Sequence, residues 1–343
     1  MIQFGIEHEF LLKNNKDEIL DYSNSNYETF KQIVDEFPIY KDDINYFHIK
    51  STEKIPKRCY IEGFEIHNIK GEIIKTIPKG LEIRTTPHYD VNCLITEFKN
   101  SLKTVDKILK KYKLTPVLIS FHPFKSKFDI PENILEFEKN FRTEKELKIA
   151  MNSMFTFGIH INFSSNEWND LIFKKNIKKL NYYLPYIIPF SFSSPFVEGK
   201  KFKGLSYRTF YRSDKTPLIE LKEKNNQKYI EFKAFDIPEN IEILTGLIFL
   251  IKGIILDKSL TEFRKEPNTE MIKIASLYGF KNEKLKSKIL KILDSISKVL
   301  KEENKYLDPL FEILQTNKTY SHKMKEKFEI TNSILKSISS IQF

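Results

Sequence analysis

Residues 3–10 read Gln3-Phe4-Gly5-Ile6-Glu7-His8-Glu9-Phe10. In a strand, side chains alternate between two faces. Phe4, Ile6, His8 and Phe10 then share one face, and Gln3, Gly5, Glu7 and Glu9 the other. Two carboxylates on one side of an apolar-backed strand repel each other. A fold tolerates them if they reach water or hold a cation. A solvated sheet face is the simplest reading of this strand alone, so the decision falls to the other strands.

Three further segments carry polar residues on one face. Leu81-Glu82-Ile83-Arg84-Thr85-Thr86 aligns Glu82 with Arg84. Gly158-Ile159-His160-Ile161-Asn162-Phe163 aligns His160 with Asn162, and Tyr229-Ile230-Glu231-Phe232-Lys233-Ala234-Phe235 aligns Glu231 with Lys233. Each has an ordinary reading on its own: His160 as a satisfied core histidine, Glu82 and Glu231 as surface ion-pair partners. Four such strands in one curved sheet would instead line a polar cup. Several carboxylates with one imidazole and no thiolate suit magnesium or manganese better than zinc.

The rest of the pattern gives the layout. The first strand is expected over Ile2–Leu12, followed by a helix at Tyr27–Glu36. Cys59–His67 and Glu72–Ile77 read as a hairpin around Lys70-Gly71, and Pro78-Lys79-Gly80 as a second turn before the Glu82 strand. Leu94, Ile95, Phe98, Leu102, Val105, Ile108, Leu109 and Tyr112 form one helical stripe within Val91–Lys113. A buried strand is expected at Thr115–Phe121, a polar helix at Pro131–Asn152, and two helical segments around Pro185. Pro238 opens a long apolar helix, and the last 80 or so residues read as helical. Early hairpins with later helices predict an α+β fold with a mainly antiparallel sheet. A doubly wound nucleotide fold is disfavoured, because neither Gly-x-Gly-x-x-Gly nor a phosphate loop occurs.

Composition narrows the function classes. At 343 residues, 41% hydrophobic and 30% charged, the chain reads as a folded globular protein with a large core. Its two cysteines, Cys59 and Cys93, supply neither a disulfide framework nor a zinc spacing. The start lacks the basic-then-apolar layout of a signal peptide, and the most apolar run, Ile243–Leu256, contains Lys252 and is short for a bilayer span. A cytoplasmic location without membrane association is the expectation. The net charge of +10 would suit nucleic acid or anionic ligands. Without a recognition helix or an aromatic RNA-binding signature, no specific nucleic-acid partner is expected. The charge is assigned to lysine-rich helix faces.

At these strands the chain resembles glutamate–cysteine ligase family 2, the carboxylate–amine ligases. Gly5-Ile6-Glu7-His8-Glu9-Phe10 is similar to the opening Gly-x-Glu-x-Glu motif, and Leu81–Pro87 to the next glutamate strand. Phe121-His122-Pro123-Phe124 resembles a His-Pro-Phe segment, and Phe157–Asn162 stands where the family has Gly-x-His-Val-His. Ser193-Ser194-Pro195-Phe196-Val197-Glu198-Gly199 resembles Ser-Ser-Pro-Phe-x-x-Gly, and Ser206-Tyr207-Arg208 resembles Ser-x-Arg. Ile230–Pro238 is similar to Val-Glu-Val-Arg-x-x-Asp-x-Pro. Seven motifs in this order are specific where one is not.

The resemblance implies a curved sheet of the glutamine synthetase catalytic type over residues 1–258, with residues 259–343 as a helical region packed on the same domain. It implies ATP and Mg2+, with Mn2+ as an alternative, held by Glu7, Glu9, Glu82, His160 and Glu231. Arg208, Glu231 and His160 are the expected catalytic residues, and Arg208, Arg212, Lys233 and Asn162 the expected nucleotide contacts. The substrates implied are small molecules: glutamate or a similar carboxylate, and an amine such as cysteine. A homodimer stays open. Asn162 stands in place of a usual histidine and does not titrate near neutrality. Lys233 replaces an arginine, keeping the charge without its two-pronged grip. His122, Ser193 and Ser194 read as packing and loop-shaping residues. Two alternatives remain on the same fold: an ATP-dependent guanidino phosphotransferase, and a non-catalytic nucleotide-binding homologue.

Overall fold

The computed structural model describes residues 1–46, 57–224 and 226–341. Ten strands are present among them: β1 (Gln3–Asn14), β2 (Ile19–Leu20), β3 (Cys59–His67), β4 (Ile73–Arg84), β5 (Leu114–Val117), β6 (Ile159–Ser164), β7 (Phe196–Val197), β8 (Lys200–Lys201), β9 (Ile219–Lys224) and β10 (Gln227–Phe235). Eight form one curled antiparallel sheet in the order β3-β4-β1-β6-β10-β9, with β2 and β5 paired to the far half of β1. β7 and β8 make a separate small hairpin.

The register explains why the polar faces meet. Glu7 lies opposite Arg84 on β4 and His160 on β6, while Glu9 lies opposite Glu82. Asn162 lies between Gly5 and Glu231, and Glu231 in turn faces Glu220. A period of two then puts Phe4, Ile6, Phe10, Leu81, Ile83, Ile159, Ile161, Ile230 and Phe232 on the opposite face, where all are buried. Helices Val91–Lys111 and Asp170–Ile187 cover that face, and the apolar helix Ile241–Leu256 packs behind both. The C-terminal helices add Leu285, Ile289, Leu293, Leu310 and Leu314 to the same hydrophobic core. The end of the chain returns to the sheet, where the amides of Leu118 and Ile341 donate to the carbonyls of Ser339 and Pro116.

Several expectations are corrected. Pro78-Lys79-Gly80 is no turn: β4 runs unbroken from Ile73 to Arg84, and its pairing with β3 shifts there. Glu62 pairs with Gly80 and Gly63 with Pro78, which leaves Lys79 as the extra residue of a β-bulge. Gly80 is required at this point, because a Cβ would lie 2.2 Å from the Phe10 carbonyl oxygen. The polar helix is two helices, Glu132–Glu138 and Glu144–Ser153, the second started by a Thr143–Glu146 capping box. Around Pro185 one helix continues to Ile187 and passes into a short 3-10 turn. The strand expected at Thr115–Phe121 is shorter, and β9 was not anticipated. In β9, Glu220, Lys222 and Lys224 hide the alternation.

Candidate active site

The concave face gathers side chains from six adjacent strands. Glu7, His160 and Glu231, from β1, β6 and β10, each offer a ligand atom within 4.8 Å of the others. His160 Nδ1 lies 3.3 Å from Glu7 Oε2 and 3.4 Å from Glu231 Oε1, and its Nε2 lies 3.8 Å from Glu9 Oε1. Asn162 Nδ2 donates to Glu7 Oε1 at 3.0 Å.

The electrostatics show what this cluster demands. Burial opposes charge on His160, but hydrogen bonds to Glu231 and Glu7 and the charge of Glu9 outweigh it, lifting its pKa to about 9. Burial also opposes the Glu231 carboxylate, and His160, Lys233 and Lys222 reverse this, holding its pKa far below the usual range. The protonated imidazole thus supplies positive charge in a nest of acids. A divalent cation ligated there would supply more, and would meet a neutral imidazole as a ligand. Two carboxylates and one imidazole suit Mg2+ or Mn2+ as a partial shell completed by water or phosphate oxygens.

Other acids of the face already have cations beside them. Glu82 receives both Nε and an Nη of Arg84, at 2.9 and 3.0 Å. Arg84 Nε lies 3.9 Å from Glu7. Lys79 Nζ lies 3.1 Å from Glu9 Oε2 and 3.6 Å from Glu62 Oε1. Lys233 pairs with Glu220 and, at 3.3 Å, with Glu231. Beside Glu7 opens a cavity of about 450 Å³, bordered by Arg84, Lys222, Lys224, Lys228 and the rings of Tyr46 and Tyr229.

Among the sequence-derived candidates, Glu7, Glu9, Glu82, His160, Asn162, Glu231 and Lys233 meet in the cup. Arg208 and Arg212, on the short helix Tyr207–Arg212, lie at the β10 end of the cup, where the charge of Glu9 acts on both and that of Glu231 on Arg212. Arg208, 1% exposed, donates from Nη1 to the carbonyls of Phe235 (2.8 Å) and Ala234 (3.3 Å), and from Nη2 to that of Lys233 (3.1 Å). It lies 3.5 Å from Asp236. Gly158 permits this approach, because a Cβ there would stand 2.3 Å from Arg208 Nη2. Arg212 donates to the Lys233 carbonyl and to Thr216, and burial beside Arg208 lowers its pKa to about 9. Both guanidinium groups therefore fix the end of β10.

Ser194 and Ser206 donate to Asp236 Oδ2, as does the Ser193 amide, so the Ser-Ser-Pro loop is tied to that end too. His122 pairs with Asp21, away from the cup. Sequence reasoning missed Lys79, Glu62, Glu220 and Lys222. Glu62 alternates with Tyr60, which pairs with Glu82 of β4, and could have been found from that. The turn-like Pro-Lys-Gly concealed Lys79.

Comparison with known proteins fits this geometry. The model of the family described as glutamate-cysteine ligase family 2 matches residues 3–218, which include Glu7, Glu9, Glu82 and His160 and stop short of Glu231. No curated protein matches the chain. Among solved structures, a glutamate–cysteine ligase from Francisella tularensis in complex with AMP is similar at a TM-score of 0.62 and 14% identity, over 98% of this chain and 87% of that one. A bifunctional glutathione synthetase from Pasteurella multocida is similar at 0.56 and 13% identity, covering 98% of this chain and 51% of that one. The complex of the ubiquitin-like protein Pup with its ligase PafA gives 0.52 and 10% identity, over 97% and 70%. At such identities the likeness is one of fold. Among the described residues, no helix is long and apolar enough to cross a membrane. The family match spans well over half of the chain, which belongs to glutamate–cysteine ligase family 2.

Proposed function

We propose that the protein is an ATP-dependent carboxylate–amine ligase that forms a γ-glutamyl amide through an acyl phosphate. The observation that carries the reading is the Glu7–His160–Glu231 cluster, drawn within 4.8 Å from three strands and set beside a cation-bordered cavity. Family membership and the AMP-bound relative support it.

Glu7, His160 and Glu231 would hold Mg2+ or Mn2+, which when bound offsets charge as one anion meets another. The nucleotide would take the cavity beside Glu7, where Arg84, Lys222 and Lys224 would hold its phosphates and the rings of Tyr46 and Tyr229 would receive its base. Substrate carboxylate oxygen attacks the γ-phosphorus, and ADP leaves. The amine nitrogen then attacks the acyl carbon, loses a proton, and expels phosphate. Lys233, braced by Glu220, stands at the rim of the cluster where the transferred phosphoryl group gathers charge. Asn162 orients Glu7 through its amide. Arg208 and Arg212 act through the backbone of β10 that carries Glu231.

The test supplies ATP, Mg2+, glutamate and a panel of amines beginning with cysteine, and identifies products by mass spectrometry. Hydroxylamine in place of the amine should trap a γ-glutamyl hydroxamate. A phosphorylated guanidine without hydroxamate would indicate phosphotransfer instead, and nucleotide binding with no turnover a non-catalytic homologue.

A further inference from the structure

Lys79 is the extra residue of the β4 bulge, and the bulge turns its side chain into the interior. It is 1% exposed. Its stem passes the Phe157 ring, with Nζ 5.2 Å from the ring centre. The ammonium donates to the carbonyls of Thr156 (2.8 Å) and Ser153 (3.0 Å) and to Glu9 Oε2 (3.1 Å), with Glu62 Oε1 at 3.6 Å. An ammonium has three N–H donors, and all have acceptors here. Two carboxylates and two carbonyls around one positive centre form an oxygen shell of the kind hard cations take.

We propose that the Lys79 ammonium is a built-in cation that occupies the Glu9–Glu62 side of the cup, so that the nucleotide-free protein holds one divalent ion, at Glu7, His160 and Glu231, and no second at Glu9. This rests on the ligase reading and goes beyond it. Glu9 bridges the two centres: Oε2 faces Lys79, and Oε1 lies 3.8 Å from His160. A divalent ion on Glu9 Oε2 would sit within a few ångströms of the ammonium and be repelled by it. To leave, the ammonium would have to abandon the buried Thr156 carbonyl and its bond to Ser153, whose carbonyl keeps the Thr156 amide as a donor. Lys79 is thus a positioning residue: it holds Glu9 in place and neutralises it.

The experiment titrates nucleotide-free protein with Mn2+ and counts bound ions from the EPR signal of free Mn2+. The wild type should bind a single ion, lost in Glu231→Gln. Lys79→Gln, which removes the charge and keeps a hydrogen-bonding side chain, should gain a second ion, and Lys79→Arg should not. A merely structural lysine would leave the count unchanged. Two ions in the wild type, one of them lost in Glu231→Gln, would overturn this proposal and leave the ligase reading standing. No ion at all would overturn both. A folded Lys79→Gln that still binds one ion would also overturn it. If that variant does not fold, the wild-type count decides.

Discussion

Replacing Arg208 by Met tests whether this guanidinium serves the scaffold or the reaction. The wild-type group satisfies the carbonyls of Lys233, Ala234 and Phe235 and lies 3.5 Å from Asp236, which is fully buried. Met keeps the stem and removes every donor. Leaving one member of a buried ion pair uncompensated costs about 3–5 kcal/mol. Orphaned carbonyls would push the loss upward, while the remaining bonds from Ser193, Ser194 and Ser206 to Asp236 limit it. Total stabilities are commonly about 5–15 kcal/mol, so a large fraction would go. Urea unfolding followed by circular dichroism should show a much lower midpoint. The double variant Arg208→Met/Asp236→Asn should recover part of it, because the stranded charge is gone. An unchanged midpoint in Arg208→Met together with abolished ATP turnover would refute the reasoning and return Arg208 to the reaction.

Two further outcomes follow from buried groups. His8 is 2% exposed between Phe10 and Phe98, neither ring nitrogen has a hydrogen-bond partner among the described residues, and burial drives its pKa down to about 3. His8→Leu should therefore stabilise the fold by about 1–2 kcal/mol, read as a raised urea midpoint; a loss would show that the ring is better satisfied than its surroundings suggest. Lys179 is 4% exposed and bonded to the Asp257 carbonyl, and burial, partly offset by Asp257, lowers its pKa to about 8. Its unfolded value is about 10.4, so between these two the unfolded chain binds more protons and this residue's contribution to stability rises with pH. Wild type should gain on Lys179→Met as pH goes from 8 to about 10 in parallel unfolding curves; parallel pH profiles would contradict the assignment.

Much of the cup was legible in the sequence because strands β1, β6 and β10 alternate cleanly. Glu7, His160 and Glu231 each sit between neighbours that are buried on the other face, so period two fixes their direction. The failures have local causes. Pro78, Lys79 and Gly80 have turn chemistry, yet Gly80 is there to let β4 pass the Phe10 carbonyl, and the bulge sends Lys79 inward. In β9, charged residues that pair with β10 masked a strand. The motif around Arg208 points to a phosphate contact, and it does not show that the Nη donors of Arg208 also hold the carbonyls ending β10, a tertiary fact that no local pattern encodes.

The proposed ligase depends on a divalent cation held by Glu7, His160 and Glu231. Crystals soaked in Mn2+ and measured at a wavelength that excites manganese should show an anomalous peak about 2–2.5 Å from one atom of each of these three side chains. A protein that folds normally but shows no such peak at saturating Mn2+, or whose peak lies elsewhere, would contradict it.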